Sequence, residues 1–247
     1  MTREEELPPG SLREKSVSGA LRSFGRRRGR RLSPRQSSLL TNGLERLCLD
    51  LSQPPGERGL AWLFADPVEE IWLEIGFGAG EHLVWQARHN PHAGIIGAEP
   101  YVNGVVAALS GLELSQLQGR ARLHAEDVHP LLEWLPTASL SRAFMLFPDP
   151  WPKQRHRARR LFSPSLLDKM ARILRHGAEF RFASDIEDYA EAAIGYASVH
   201  PDFEIAYIFS SDNRTAVPDW PITRYETKAS KAGRSSTFVI LTRKPVS

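Results

Sequence analysis

The run LFPDPWPKQRHRARRL, residues 146–161, holds a single carboxylate, Asp149, between Pro148 and Pro150; Trp151 follows, and five Lys or Arg lie between 153 and 160. Two prolines restrict the backbone on either side of the acid, so its side chain is offered in few directions. An anion held in this way suits hydrogen bonds to N–H donors or the stabilisation of developing positive charge. Trp151 beside it offers either a stacking surface for an unpaired base or a piece of core, and the basic run suits phosphates.

Further carboxylates follow short apolar runs: Glu74 within IWLEIG, Glu99 at the end of GIIGAE, and Asp127 at the end of ARLHAED. After Glu74 come Gly76, Gly78 and Gly80, the composition of a strand-to-helix turn whose backbone approaches a ligand with no Cβ in the way. A dinucleotide-binding G-x-G-x-x-G turn would place its third glycine at position 81, which is Glu81 here. The spacing therefore disfavours a nicotinamide-dependent oxidoreductase. Glutamate is a weak helix N-cap, so Glu99 reads as a ribose-binding acid, whereas Asp127 suits a cap for the following VHPLLEWL as well as it suits a ligand. An acidic crevice that rejects pyrophosphate matches a cofactor with a ribose, an adenine and a positive centre. S-adenosylmethionine has all three.

Such residues need elements that bring them to one place. From Ile71 onward, short apolar runs alternate with helical patterns at 81–89, 102–118, 129–135, 164–175 and 187–199. This alternation predicts successive β-α units, a parallel sheet with helices on both faces, and acids converging beyond the carboxyl ends of the strands. The final candidate strands, 203–209 and 237–243, are joined by an irregular, Pro-containing segment and are expected to pair as an antiparallel edge. Leu39, Leu40, Leu44, Leu47 and Leu51 recur at helical spacing within 36–51. Residues 1–35 lack apolar periodicity and are rich in Arg, Ser, Gly and Pro, which predicts a basic flexible arm ahead of one domain spanning 36–247.

Charge is unevenly placed. The net charge is only +3, yet segments 22–35, 153–160 and 224–244 together hold 18 of the 32 basic residues and one of the 29 acidic ones. Basic charge confined in this way to an otherwise acidic chain fits a polyanion-binding face, or else solvated surface charge. The apolar runs are strand-sized, and Cys48 is the one cysteine. A cytoplasmic location is therefore expected, with no membrane span, no internal disulfide and no bound metal.

Taken in order, WLEIGFGAGEHL, GAEPYVNGV, LFPDPWPKQRHRARRL, FASDIEDYAEAA and TRYETKA resemble the bacterial tRNA (guanine-N7)-methyltransferase family, which forms 7-methylguanosine at position 46 of the tRNA variable loop. The resemblance runs from LRSFGRRRGRRLSPRQ to the last candidate strand. It implies a Rossmann-like class I methyltransferase fold of α/β type, with a seven-stranded, mostly parallel sheet containing one antiparallel strand. It also implies cofactor contacts at Glu74, Glu99, Asp127 and Asp149, Asp149 being the active-site acid, and substrate contacts at Lys153, Asp185, Thr223, Arg224, Tyr225 and Glu226. The implied partner is tRNA, with monomer and homodimer both open. On the residues alone, Asp185 equally suits the N-cap of the helix at 187–199, and Thr223-x-x-Glu226 has the form of a capping box.

The implied chemistry is economical. Guanine N7 carries a lone pair and no proton, so methylation there needs no general base, and rate comes from alignment and electrostatics. A non-catalytic RNA-binding module would account for the basic segments but not for the ordered carboxylates.

Overall fold

In the computed structural model, which describes residues 25, 27–56, 59–212 and 219–245, helix α1 (Pro34–Leu47) precedes the β-α alternation. That alternation runs β1 (Glu70–Ile75), α2 (Glu81–His89), β2 (Ala93–Ala98), α3 (Val102–Leu114), β3 (Ala121–His124), α4 (Val128–Trp134) and β4 (Leu140–Leu146). It continues through α5 (Pro164–Ile173), β5 (Leu174–Ser184), α6 (Glu187–Ser198), β6 (Phe203–Ser210), α7 (Arg224–Lys231) and β7 (Thr237–Arg243). The sheet order is β3-β2-β1-β4-β5-β7-β6. β7 runs antiparallel to both β5 and β6, and the other pairs are parallel.

Neighbouring residues on each central strand serve opposite faces, as the two-residue side-chain period requires. Trp72, Ile95 and Phe144 pack with Leu47, Leu83 and Leu109 from α1, α2 and α3. Leu73, Ile96 and Met145 pack on the other side with Leu131, Leu167 and Tyr189 from α4, α5 and α6. Burial on both faces is why these strands read as continuous apolar runs. Glu74 lies in β1, and Glu99, Asp127 and Asp149 follow the ends of β2, β3 and β4, so the topology delivers all four acids to one edge of the sheet.

Two local features differ from the sequence reading. α1 begins at Pro34, because Ser33 Oγ accepts from the Gln36 N–H at 3.3 Å while the Gln36 side chain accepts from the Ser33 N–H at 3.0 Å. This reciprocal cap, with proline at the first helical position, starts the helix before its apolar periodicity begins. The connection between β6 and β7, expected to be irregular, contains α7, whose cap is Thr223: its Oγ1 accepts from the Glu226 N–H at 3.2 Å. Part of the basic arm falls in the described residues. The Val102 N–H donates to the Arg27 carbonyl at 3.0 Å, and the Asn103 side chain bonds Gly29 and Arg30 at 2.8 and 2.9 Å, laying this segment along the start of α3. Residues 1–24 lie outside the described residues. Among the described residues, no helix is long and apolar enough to cross a membrane.

Candidate functional site

Gly76, Gly78 and Gly80 have φ of 73°, 56° and 76°, a left-handed region that residues with a Cβ enter only under strain. Glu99 closes over this turn. One carboxylate oxygen accepts from the Gly78 N–H at 2.8 Å and the other from the Tyr101 N–H at 2.9 Å, fixing the acid between the turn and α3. Each oxygen keeps a lone pair for a further donor. Glu74 points elsewhere: it bonds the His82 ring at 2.9 Å, His82 meets Gln86 at 3.0 Å, and Gln86 donates to the Asp219 carbonyl at 3.0 Å. This buried chain joins the glycine turn to the segment leading into α7.

A cavity of about 570 Å³ opens beside the turn, lined by Gly78, Glu99, Phe147, Asp149, Trp151 and Tyr225 among others. Glu74 lines a smaller adjoining pocket together with Phe147 and Tyr225. Burial raises the pKa of Glu99 above the usual carboxylate range despite its two backbone bonds, and the nearby Asp149 and Glu74 push it in the same direction. Asp149 is solvent-accessible at the cavity mouth, yet the protein around it removes enough water to raise its pKa also.

The Pro-Asp-Pro turn is flanked by two residues with positive φ, Phe147 at 53° and Trp151 at 40°. Such conformations cost bulky residues on the order of 1–3 kcal/mol each and collect at functional sites. Trp151 is not a core residue. It is half-buried at the cavity wall, with the Arg159 guanidinium 5.0 Å from its ring centroid and His156 edge-on at 5.8 Å. The arm also reaches this place: a Cβ built on Gly25 would lie 3.2 Å from Asp149 Oδ2.

The remaining sequence-derived residues are distributed around this centre. Asp127 caps α4 through a 2.9 Å bond from the His129 N–H, and its carboxylate also meets the His129 ring at 2.7 Å. Asp185 does not cap α6, whose N-cap residue is Ile186; it pairs instead with Arg234 at 2.8 Å, outside the main cavity. Lys153 is exposed and opens the 3₁₀ turn Gln154–Arg159 rather than lining the cavity. Thr223 and Glu226 are buried at the start of α7, and Arg224 binds Glu81 through its backbone N–H at 3.1 Å. Residues the sequence reading did not single out are Phe147 and Lys228, both on the cavity wall, where Arg159 of the basic run also lies.

Comparisons with known proteins agree with this architecture. A family profile described as "Putative methyltransferase" matches residues 68–239. The tRNA (guanine-N(7)-)-methyltransferase of Chelativorans sp. (strain BNC1) is 44% identical over 220 residues, covering 89% of this chain and 94% of that protein. The protein of the same name from Bartonella quintana (strain Toulouse) is 43% identical over 224 residues, covering 90% and 95%. Among solved structures, TrmN from Thermus thermophilus aligns with a TM-score of 0.51 at 12% identity, over 71% of this chain and 44% of that one. The [4+2]-cyclase SpnF aligns with a TM-score of 0.50 at 14% identity, over 85% and 93%. These two likenesses concern the fold alone, since one sheet carries many chemistries.

Proposed function

Because this chain belongs to the tRNA (guanine-N(7)-)-methyltransferase family, we propose that it transfers a methyl group from S-adenosylmethionine to N7 of guanine in tRNA, at position 46 of the variable loop. The observation that carries this reading is one cavity lined by Glu99, Asp149 and the glycine turn and also by Arg159 and Lys228. The residues fit the cofactor. Gly76 and Gly78 let the backbone approach it, Glu99 retains acceptor capacity for ribose hydroxyls, and the carboxylates complement its positive centres. When bound, S-adenosylmethionine supplies a methyl group activated by the sulfonium charge. Asp149 accepts hydrogen bonds from the base or from the cofactor's ammonium and stabilises the cationic methylated ring, while the basic groups hold tRNA phosphates.

The direct test is transfer of labelled methyl from S-adenosylmethionine to unmodified tRNA, followed by mapping of the modified atom. Methylation at guanine N7 of the variable loop is expected. Cofactor binding without transfer to tRNA, or a methyl group on another atom, overturns the reading.

A pH dependence follows from the raised carboxyl groups. A cationic ligand favours the ionised forms of Glu99 and Asp149, so their pKa values fall on binding and protons are released. Affinity is then full above the raised pKa values of the free protein and weakens as pH falls through them. Calorimetric titration with S-adenosylmethionine from neutral to acidic pH should show this decline, and an affinity rising on acidification would contradict the assignment.

The arm supplies another expectation. Arg27, Arg28, Arg30, Arg31 and Arg35 are exposed on the segment that passes α3 and continues into α1. Removing residues 1–32, which spares the Ser33 cap, should weaken tRNA binding while the cofactor still binds. The slope of log affinity against log salt should flatten by roughly 0.7–0.9 for each phosphate that the arm neutralises. Unchanged affinity and slope would remove the arm from the RNA-binding face.

A further inference from the structure

We infer that Phe147 and Tyr225 form an aromatic shelf on which the target guanine stacks, an inference that rests on the methyltransferase reading above. Their rings lie 18° from parallel with centroids 6.2 Å apart. A centroid separation of 6.2 Å is too long for face-to-face stacking, so the two near-parallel rings are offset from one another. Both residues line the main cavity with Asp149 and the smaller pocket beside Glu74. Tyr225 projects from α7 over the glycine turn, where a Cβ on Gly78 would lie 3.0 Å from its hydroxyl oxygen. Phe147 is the first residue beyond β4 and stands two positions before Asp149. The shelf thus extends from the cofactor turn to the active-site acid, the interval across which a base must meet the methyl group.

The rings are held in place from several directions. The Phe147 N–H donates to the Ala183 carbonyl at 2.8 Å, and its ring meets Phe238 edge-on at 6.2 Å. Arg224 donates to the Tyr225 hydroxyl at 3.2 Å, with its guanidinium 5.0 Å from that ring centroid, and is itself tied to Glu81. Asparagine would adopt the left-handed backbone of position 147 with less strain, so the ring accounts for what that position carries. Tyr225 is 40% exposed despite its size. Unpaired RNA bases are commonly bound by stacking on such rings, and stacking accepts any base, so the shelf positions the guanine while polar groups discriminate it.

The test uses the full chain with Tyr225→Leu, Phe147→Leu, Tyr225→Phe and Phe147→Tyr. Each leucine variant is expected to lower kcat/KM for unmodified tRNA by about tenfold or more, measured with S-adenosylmethionine at a concentration saturating for that variant. Each aromatic variant should recover most of that loss, because the face and not the hydroxyl is used. Tyr225 lies on the surface of α7, so its variants keep the test decisive if Phe147→Leu fails to fold. A wild-type enzyme that methylates guanine N7, with Tyr225→Leu within about threefold of it, rejects the shelf and leaves the methyltransferase reading intact. Tyr225→Phe as impaired as Tyr225→Leu also rejects the shelf. Failure of the wild-type protein to methylate tRNA removes the methyltransferase reading and the shelf with it.

Discussion

Replacing Asp149 by asparagine is expected to lower the single-turnover rate at saturating tRNA and cofactor by roughly 10²–10³-fold, the effect of losing about 2.7–4 kcal/mol of transition-state electrostatics. Asparagine keeps the size and one acceptor oxygen, so the change isolates the charge. The protein should not lose stability in the exchange. Burial raises the Asp149 pKa in the folded state above its unfolded value, so any stability from the protonated acid is present at low pH and lost as pH rises through the folded pKa. At neutral pH the ionised group therefore opposes folding, and the neutral amide removes that opposition. A variant that melts no earlier than wild type yet transfers methyl groups hundreds of times more slowly would separate function from folding. A rate within about threefold of wild type would reduce Asp149 to a turn residue between its prolines.

Glu99→Ala is expected to weaken S-adenosylmethionine binding by roughly a hundredfold or more. The loss has two sources. Hydrogen bonds to a charged acceptor are worth about 1.5–3 kcal/mol, and the ribose loses them. The Gly78 and Tyr101 N–H groups also lose their shared acceptor, which loosens the glycine turn itself. Glu99→Gln keeps one carbonyl oxygen and the shape, so it should bind the cofactor more weakly than wild type but more tightly than Glu99→Ala. Isothermal titration of both folded variants decides the matter, and an alanine variant with wild-type affinity would reject the ribose assignment.

The scaffold and the carboxylates were legible because a buried parallel sheet writes itself as apolar runs, and because Glu99 directly follows β2 and Asp149 comes three residues after β4. The dihedral angles were not. Nothing in AFMLFPDPW distinguishes the last strand residue, Leu146, from Phe147, which leaves the strand with positive φ and turns its ring to the cavity. α7 escaped for another reason: its buried side carries Glu226 and Ala229 rather than a leucine stripe, so apolar periodicity had little to detect. Asp185 resisted because its partner, Arg234, lies 49 positions away and charge pairs leave no pattern in a single sequence. The apolar run IWLEIG places Glu74 in β1, but its engagement with His82 depends on the first turn of α2 bringing position 82 back over the strand.

Strand order sets a timetable for folding on the ribosome. β7 is made after β6 but lies inside it, between β5 and β6. Until the connection and β7 have emerged, β6 has no hydrogen-bonding neighbour, and β5 has one open side. At about 5–20 residues per second, that interval lasts on the order of seconds for the 26 residues between Ser210 and Thr237 alone. β6 also carries Tyr207 and Ile208, which stay 62% and 51% exposed even in the finished sheet. A nascent chain stalled in this window presents both edges of β6, one edge of β5 and an apolar surface, a combination prone to pairing with another chain. The half of the sheet bearing Glu74, Glu99 and Asp149 is complete by then, so a truncated product would retain the elements of the proposed cofactor site while lacking α7 and remaining prone to aggregate.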